Sequence, residues 1–375
     1  MELRSVSERN HALSISRLGD LNQNGYLKAA TDSAQNISGD ICQGSRLSRR
    51  VTGPSGTFAL LRYVYNRNGA AFLAKNALDS ARSLLARRLV QENGRIYQGQ
   101  EIDSYILPCD ETEQDRLDFM HALVMKALWP ARLGHISHPH NGRFLDLGCG
   151  TGIWAIEMAE AYPNAYVLGV DISAMQPDFH PPNCAFKVPF DYEHPWLIDG
   201  GQWDVIHMQM GCGSVTNWPR LYTRIFDHLL RDAWFEQVEV NFEPRCYDQP
   251  LEKGPLSFWY HSLKSATQLS KREIAHSPVQ TLQWLREAGF SDIRYGEVVL
   301  PVNLKKPSDY DRVAARWYRT AFIDSIQPLC MAPFTRAHGW THESIRSVVD
   351  AAQAEVLDSD LEFFYTLHIY KARRP

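Results

Sequence analysis

From residue 143 onward, short apolar runs alternate with stretches whose apolar positions recur every three or four residues. Arg143 to Leu147 reads as a strand, Gly152 to Ala161 as a helix and Ala165 to Val170 as a second strand. Ala185 to Val188, Trp203 to Met208 and Trp234 to Phe242 continue the series. A parallel crossover needs a helix to carry the chain back, so this alternation predicts a sheet covered on both faces. Upstream, Leu117, Met120, His121, Val124 and Leu128 share one side of a helix between Asp110 and Trp129, its start charged by Asp110 and Glu113. Downstream, helices near Leu256 to Gln268 and Gln280 to Ala288, the second stopped by Gly289, lead to two late strands, Ile293 to Val302 and Phe363 to Ala372. A helical insert containing Asp309 to Ser325 and Glu343 to Leu357 separates them. The expected fold is α/β: a doubly wound, mostly parallel seven-stranded sheet with a helical insert.

Before residue 90 this rhythm is missing. Met1 to about Gly56 is rich in Ser, Asn, Gly and Arg, the composition of a segment unable to offset its own ordering entropy, and is expected to be largely disordered. Leu73, Ala77, Ala81, Leu84 and Leu85 then recur at helical spacing among Lys75, Arg82, Arg87 and Arg88. That is a basic helix with an apolar side, suited to packing on the body, to a partner or to nuclear import. Charge follows the same division: residues 1–90 carry a net +7 and the remainder −11, within a total of −4. A basic amino-terminal extension, 1–90, is thus expected before one large domain, 91–375. The acidic total gives no argument for direct, sequence-specific nucleic-acid binding. No run of ~18 apolar residues spans a membrane, and the charged start lacks a signal peptide's apolar stretch, so a soluble intracellular protein is expected. Seven scattered cysteines without a Cys-x-x-Cys pair argue against a disulfide framework and a structural zinc site.

The chemistry concentrates in Arg143-Phe-Leu-Asp-Leu-Gly-Cys-Gly-Thr-Gly152, an apolar strand running into Gly148, Gly150 and Gly152 with Cys149 between the first two. Glycines there let backbone approach a nucleotide-like ligand at a strand's carboxyl end. Gly150-Thr-Gly152-Ile-Trp-Ala155 also satisfies the loose dinucleotide pattern, so two cofactor classes compete. Asp146 favours one of them: an acid two residues before the first glycine opposes a pyrophosphate but suits a ligand carrying a sulfonium and an ammonium, such as S-adenosylmethionine. Asp171, with Ile172 beside it, ends the second strand and can accept from ribose hydroxyls. Asp191 follows the third, where its carboxylate can meet an adenine amino group while Phe190 faces the ring. Gln209 and Met210, after the fourth strand, fall at the methyl end. Glu236 faces away from Gln237 and Glu239 along the fifth strand, one of whose faces reaches the site.

Other features are read as structural. His135, His138 and His140 sit in a Pro- and Gly-bearing loop without a neighbouring carboxylate or thiolate, so no metal is expected. Cys149 is a small residue between glycines rather than a nucleophile, and Trp196, Trp203, Trp218 and Trp234 are expected to pack. Methyl transfer does not require a base. If one acts, His121 and Tyr97 are the residues to test.

The order of these segments resembles the class I methyltransferase superfamily, whose fold is Rossmann-like. The wording of several resembles the LaeA-type methyltransferase regulators of filamentous fungi. That wording includes Glu92-Asn-Gly-Arg-Ile-Tyr97, Leu107-Pro-Cys-Asp-Glu-Thr-Glu-Gln-Asp-Arg-Leu-Asp118, Gly142 to Glu157, Met208-Gln-Met-Gly-Cys-Gly-Ser-Val215, Trp234-Phe-Glu-Gln-Val-Glu239 and Leu367-His-Ile-Tyr-Lys-Ala-Arg-Arg-Pro375. The chain departs at Leu230-Arg-Asp-Ala233, where the family usually places a Pro-Gly turn. The resemblance implies adenosylmethionine binding through Asp146, Gly148, Gly150, Gly152, Asp171 and Asp191. It also implies nuclear regulation of secondary metabolism and development alongside velvet-domain proteins, with the cytoplasm as a second compartment. Rival expectations are a methyltransferase-fold scaffold that only holds transcriptional partners, a biosynthetic small-molecule methyltransferase and, more remotely, a nicotinamide oxidoreductase.

Overall fold

A computed structural model describes residues 89–99, 105–128, 141–198, 201–247, 251–304, 308–358 and 360–375. All belong to the second of the chain's two units, Arg67–Pro375. The expectations for residues 1–88 and for His135, His138 and His140 lie outside the described residues. The described residues begin with a hairpin of β1 (Leu89–Glu92) and β2 (Arg95–Gln98). Helix α1 (Glu111–Leu128) follows. Then come β3 (Arg143–Leu147), α2 (Ile153–Ala161), β4 (Tyr166–Val170), β5 (Cys184–Lys187), β6 (Trp203–Gln209), α3 (Trp218–His228) and β7 (Leu229–Cys246). The remainder is α4 (Pro255–Leu269), α5 (Pro278–Glu287), β8 (Ser291–Pro301), α6 (Asp309–His338), α7 (His342–Leu357) and β9 (Phe363–Arg373).

Seven strands form one sheet in the order β5-β4-β3-β6-β7-β9-β8. All pairings are parallel except those of β9, which runs antiparallel to β7 and β8. The centre is buried on both faces: Phe144, Leu145 and Leu147 on β3 and Val205, Ile206 and Met208 on β6 are nearly inaccessible. Such strands read as continuous apolar runs because helices cover both sides. Among the described residues, no helix is long and apolar enough to cross a membrane. Trp196, Trp203 and Trp234 are buried, and Trp218 packs against the same core.

Three elements differ from the sequence reading. Helix α3 was not anticipated, although Asn217 caps it by accepting from the Arg220 N–H at 3.0 Å and Leu221, Tyr222 and Ile225 form its buried side. Strand β7 starts five residues before Trp234, and in place of a Pro-Gly turn Asp232 adopts φ +62°, its N–H donating to the Arg374 carbonyl at 2.8 Å. A short polar side chain is among the few that tolerate this conformation. Helix α6 runs on past Ser325 through Pro328 and Pro333 to His338. It continues across both prolines because Ile326, Leu329, Cys330, Met331 and Phe334 are buried there, and that burial outweighs the local cost of proline.

Gly152 caps α2 at φ +81°, and a Cβ added there would lie 2.5 Å from Phe186 Cζ. At Gly150, φ is +53° and the nearest atom, Leu117 Cδ1, would be at an ordinary 3.6 Å. Gly152→Ala is therefore expected to lower stability by ~1 to 3 kcal/mol, from left-handed strain plus displacement of the ring, and Gly150→Ala by less. Equal denaturant midpoints for the two variants would contradict this account.

Candidate active site

The chain reverses its direction of winding between β3 and β6: the strands following β3 are added on one side, and β6 returns to the other. Ligands of open α/β sheets bind outside the strand carboxyl ends at such a point. There the loop after β3 is pinned to β4, the Gly148 and Cys149 N–H groups both donating to the Val170 carbonyl at 2.9 and 3.0 Å. Gly148, Gly150 and Gly152 all take positive φ, so the loop folds tightly into α2. Thr151 Oγ1 ties it to Asp118 at 2.6 Å, and Gln176 Nε2 donates to the Gly150 carbonyl at 2.6 Å.

One cavity opens over this loop. Asp146, Gly148, Cys149, Gly150, Asp171, Ile172, Phe190, Asp191 and Gln209 all line it. Gly152 does not; its place is under Phe186, where it serves the turn. Of the two base candidates, His121 lines the cavity, with Nε2 3.3 Å from Glu157 Oε2. Tyr97 lies away from it, its ring under the Arg336 guanidinium.

Two buried carboxylates suit the part of the cavity beside the glycine loop to a positively charged ligand. Asp146 is buried and its Oδ2 has no hydrogen-bond partner. Burial pushes its carboxyl up from 3.8 to about 6. Asp171 is also buried and pushed up to about 6 by burial, against the pull of the Ser173 and Gly150 N–H groups, which donate to its Oδ1 and Oδ2 at 2.7 and 2.8 Å. A buried carboxylate oxygen without a donor is costly, and a ligand bringing positive charge and N–H groups offsets that cost. S-adenosylmethionine fits this requirement; a pyrophosphate does not. Asp191 stands at the rim with local partners, accepting from the Glu193 N–H at 2.7 Å and lying 2.7 Å from His194 Nδ1.

At the other end Met210, in left-handed backbone at φ +55°, turns the chain into Gly211 and Cys212. Both of their N–H groups donate to Glu239 at 3.1 Å, and Gln237 Nε2 reaches its Oε1 at 2.8 Å. Burial pushes the Glu239 carboxyl and the Cys212 thiol up, which favours their neutral forms. Leu107, Val240, Phe242, Ile274 and Leu329 give this end an apolar wall. Sequence reasoning missed Tyr105, Tyr192, His207 and Arg272, which also line the cavity. His207 was within reach, since period two puts it on the face of Gln209. Tyr192 was too, directly after Asp191, whereas Tyr105 and Arg272 come from segments that only the tertiary fold brings in. Among the described residues no three His, Cys, Asp or Glu side chains group to hold a metal, and the six described cysteines are free.

A family profile described as a methyltransferase domain matches residues 116–294. The secondary metabolism regulator laeA of Monascus pilosus is 50% identical over 285 residues, 76% of this chain and 78% of that protein. The chain belongs to the LaeA family. A second LaeA relative, named protein-methionine methyltransferase laeA, from Emericella nidulans, is 47% identical over 311 residues, 83% of this chain and 82% of that protein. Among solved structures, phosphoethanolamine N-methyltransferase 2 of Haemonchus contortus in complex with S-adenosyl-L-methionine superposes with a TM-score of 0.41 at 14% identity, over 70% of this chain and 52% of that one. As a LaeA-family methyltransferase the chain uses S-adenosylmethionine.

Proposed function

We propose that this chain regulates secondary metabolism and development from the nucleus by methylating a protein methionine, in association with velvet-domain partners. The observation that carries the methyl-transfer part is the partnerless Asp146 Oδ2 beside the glycine loop. When bound, S-adenosylmethionine supplies a methyl group made electrophilic by its sulfonium. The glycine loop and Asp171 would hold its nucleoside end and Asp146 would face its positive charge, while the cavity walls would exclude water and align the acceptor. A thioether acceptor suits the far end of the cavity: methionine sulfur is uncharged, carries no proton to remove, and matches an apolar wall beside the Cys212 thiol, which burial pushes up. Support for the acceptor comes from the name of the Emericella nidulans relative. The basic extension, +7 over residues 1–90, supports nuclear entry, and the velvet partners rest on the family likeness.

Calorimetry with S-adenosylmethionine and with NAD tests the cofactor; binding of the first and not the second is expected. Incubation with methyl-labelled cofactor and nuclear extract, followed by mass spectrometry, should then place the label on a methionine sulfur. NAD binding alone would return the chain to the oxidoreductases, and label on lysine or a small molecule would replace the acceptor.

A further inference from the structure

The strand register draws a line of polar side chains through the middle of the sheet. Asp146 on β3 is opposite His207 on β6, His207 opposite Glu236 on β7, and Glu236 opposite Lys371 on β9. Residues paired in register on neighbouring strands share a face, so the four form one row leading away from the cavity. Asp146, His207 and Glu236 are each at most 3% exposed. A buried ionisable row is stable only when its members pair. Here His207 Nδ1 stands 3.3 Å from Glu236 Oε2, and Lys371 Nζ stands 3.4 Å from Glu236 Oε1.

These pairs fix which imidazole nitrogen donates to Glu236. A carboxylate in an ion pair with an ammonium can only accept, so His207 donates to it from Nδ1, and in the neutral ring Nε2 is then an acceptor. Trp154 stacks on the ring, centroids 4.1 Å apart and planes 4° from parallel, which fixes the plane as Glu236 fixes the edge. Nε2 has no hydrogen-bond partner, and neither has Asp146 Oδ2. His207 and Asp146 both line the cavity. Two acceptors cannot satisfy each other; a charged group with several N–H bonds satisfies both.

We propose that Lys371 and Glu236 are positioning residues that hold His207 as a second acceptor beside Asp146, and that this pair receives the ammonium of the cofactor's amino-acid end. The inference rests on the reading of the cavity as an adenosylmethionine site and adds to it a binding residue, His207, with a buried device that sets its tautomer.

Two ligands separate this role from a general loss of structure: S-adenosylhomocysteine carries the amino-acid end, and 5′-methylthioadenosine lacks it. Glu236→Gln keeps the volume but lets an amide N–H donate to Nδ1, moving the proton to Nε2 and turning an acceptor into a donor. His207→Leu removes the acceptor, and Lys371→Met frees Glu236. Affinity for S-adenosylhomocysteine is expected to fall about tenfold in Glu236→Gln and His207→Leu, and less in Lys371→Met, while 5′-methylthioadenosine binds each variant as it binds the wild type. Nitrogen-15 shifts of His207 should show the tautomer exchanged in Glu236→Gln. Equal losses for both ligands, or an unchanged affinity of His207→Leu for S-adenosylhomocysteine, would overturn the proposal. A wild-type protein that binds neither ligand would strike the adenosylmethionine reading itself and the proposal with it.

Discussion

Asp146→Asn is expected to make the ligand-free protein more stable and to remove most of its affinity for S-adenosylmethionine. The Asp146 carboxyl is buried, lacks a donor to Oδ2 and is pushed up from 3.8 to about 6. The folded chain thus holds this proton more tightly than the unfolded chain does. The stabilising contribution is fully present below about pH 4 and is lost as pH rises through about 6, above which a buried carboxylate must be kept ionised. Asparagine carries no such charge at any pH and should raise stability at pH 8 by ~1 to 3 kcal/mol, the usual cost of a buried polar group left unpaired. Binding changes in the opposite sense. Wild-type affinity for the cationic cofactor should strengthen as pH climbs through about 6 and then level off, with Asp171, also pushed up to about 6, contributing to the same rise. The variant should bind weakly throughout and keep only the part of the profile due to Asp171. Thermal melts at pH 5 and 8, paired with calorimetric titrations, give both readings. A variant that is less stable at pH 8, or that binds as tightly as the wild type, would show that this carboxylate is structural.

Much of this site is readable along the chain because its parts are local. Strand, glycine loop and helix are contiguous from Arg143 to Ala161, and the acids at successive strand ends, Asp146, Asp171 and Asp191, follow from the same alternation that predicts the sheet. Period two predicts that Glu236 faces away from Gln237 and Glu239, and the structure puts Glu236 against His207 and Glu239 against the N–H groups of Gly211 and Cys212. What the chain does not display is register. The row from Asp146 to Lys371 spans 226 positions of sequence and exists only because β6, β7 and β9 align within a residue of one another. The same holds for Arg272, brought to the cavity by its hydrogen bond to Glu193 Oε2 at 3.1 Å. The length of α6 is hidden for a different reason, since two prolines mark a stop that burial of the following turns overrides.

In an Emericella nidulans strain lacking laeA, a copy of this chain is expected to restore secondary-metabolite output, and the Asp146→Asn copy is expected to leave output at the level of the deletion. The two proteins are 47% identical over 83% of this chain, enough to make the substitution of one for the other a fair experiment. A cofactor-loop variant would be a poor choice for the comparison. Destabilisation by ~1 to 2 kcal/mol can lower cellular abundance several-fold and imitate lost chemistry, and Gly152→Ala carries that risk through its contact with Phe186. Asp146→Asn avoids it, because the change that removes the cofactor also relieves a buried charge, so its abundance should match or exceed that of the wild type. Immunoblots verify that condition, and co-precipitation with velvet-domain proteins, the partners proposed above, shows whether any such association survives. Lost output with partners still bound would locate the regulatory function in methyl transfer. Restored output from a variant that binds no cofactor would mean that the fold acts by holding its partners, with the cavity retained for stability alone.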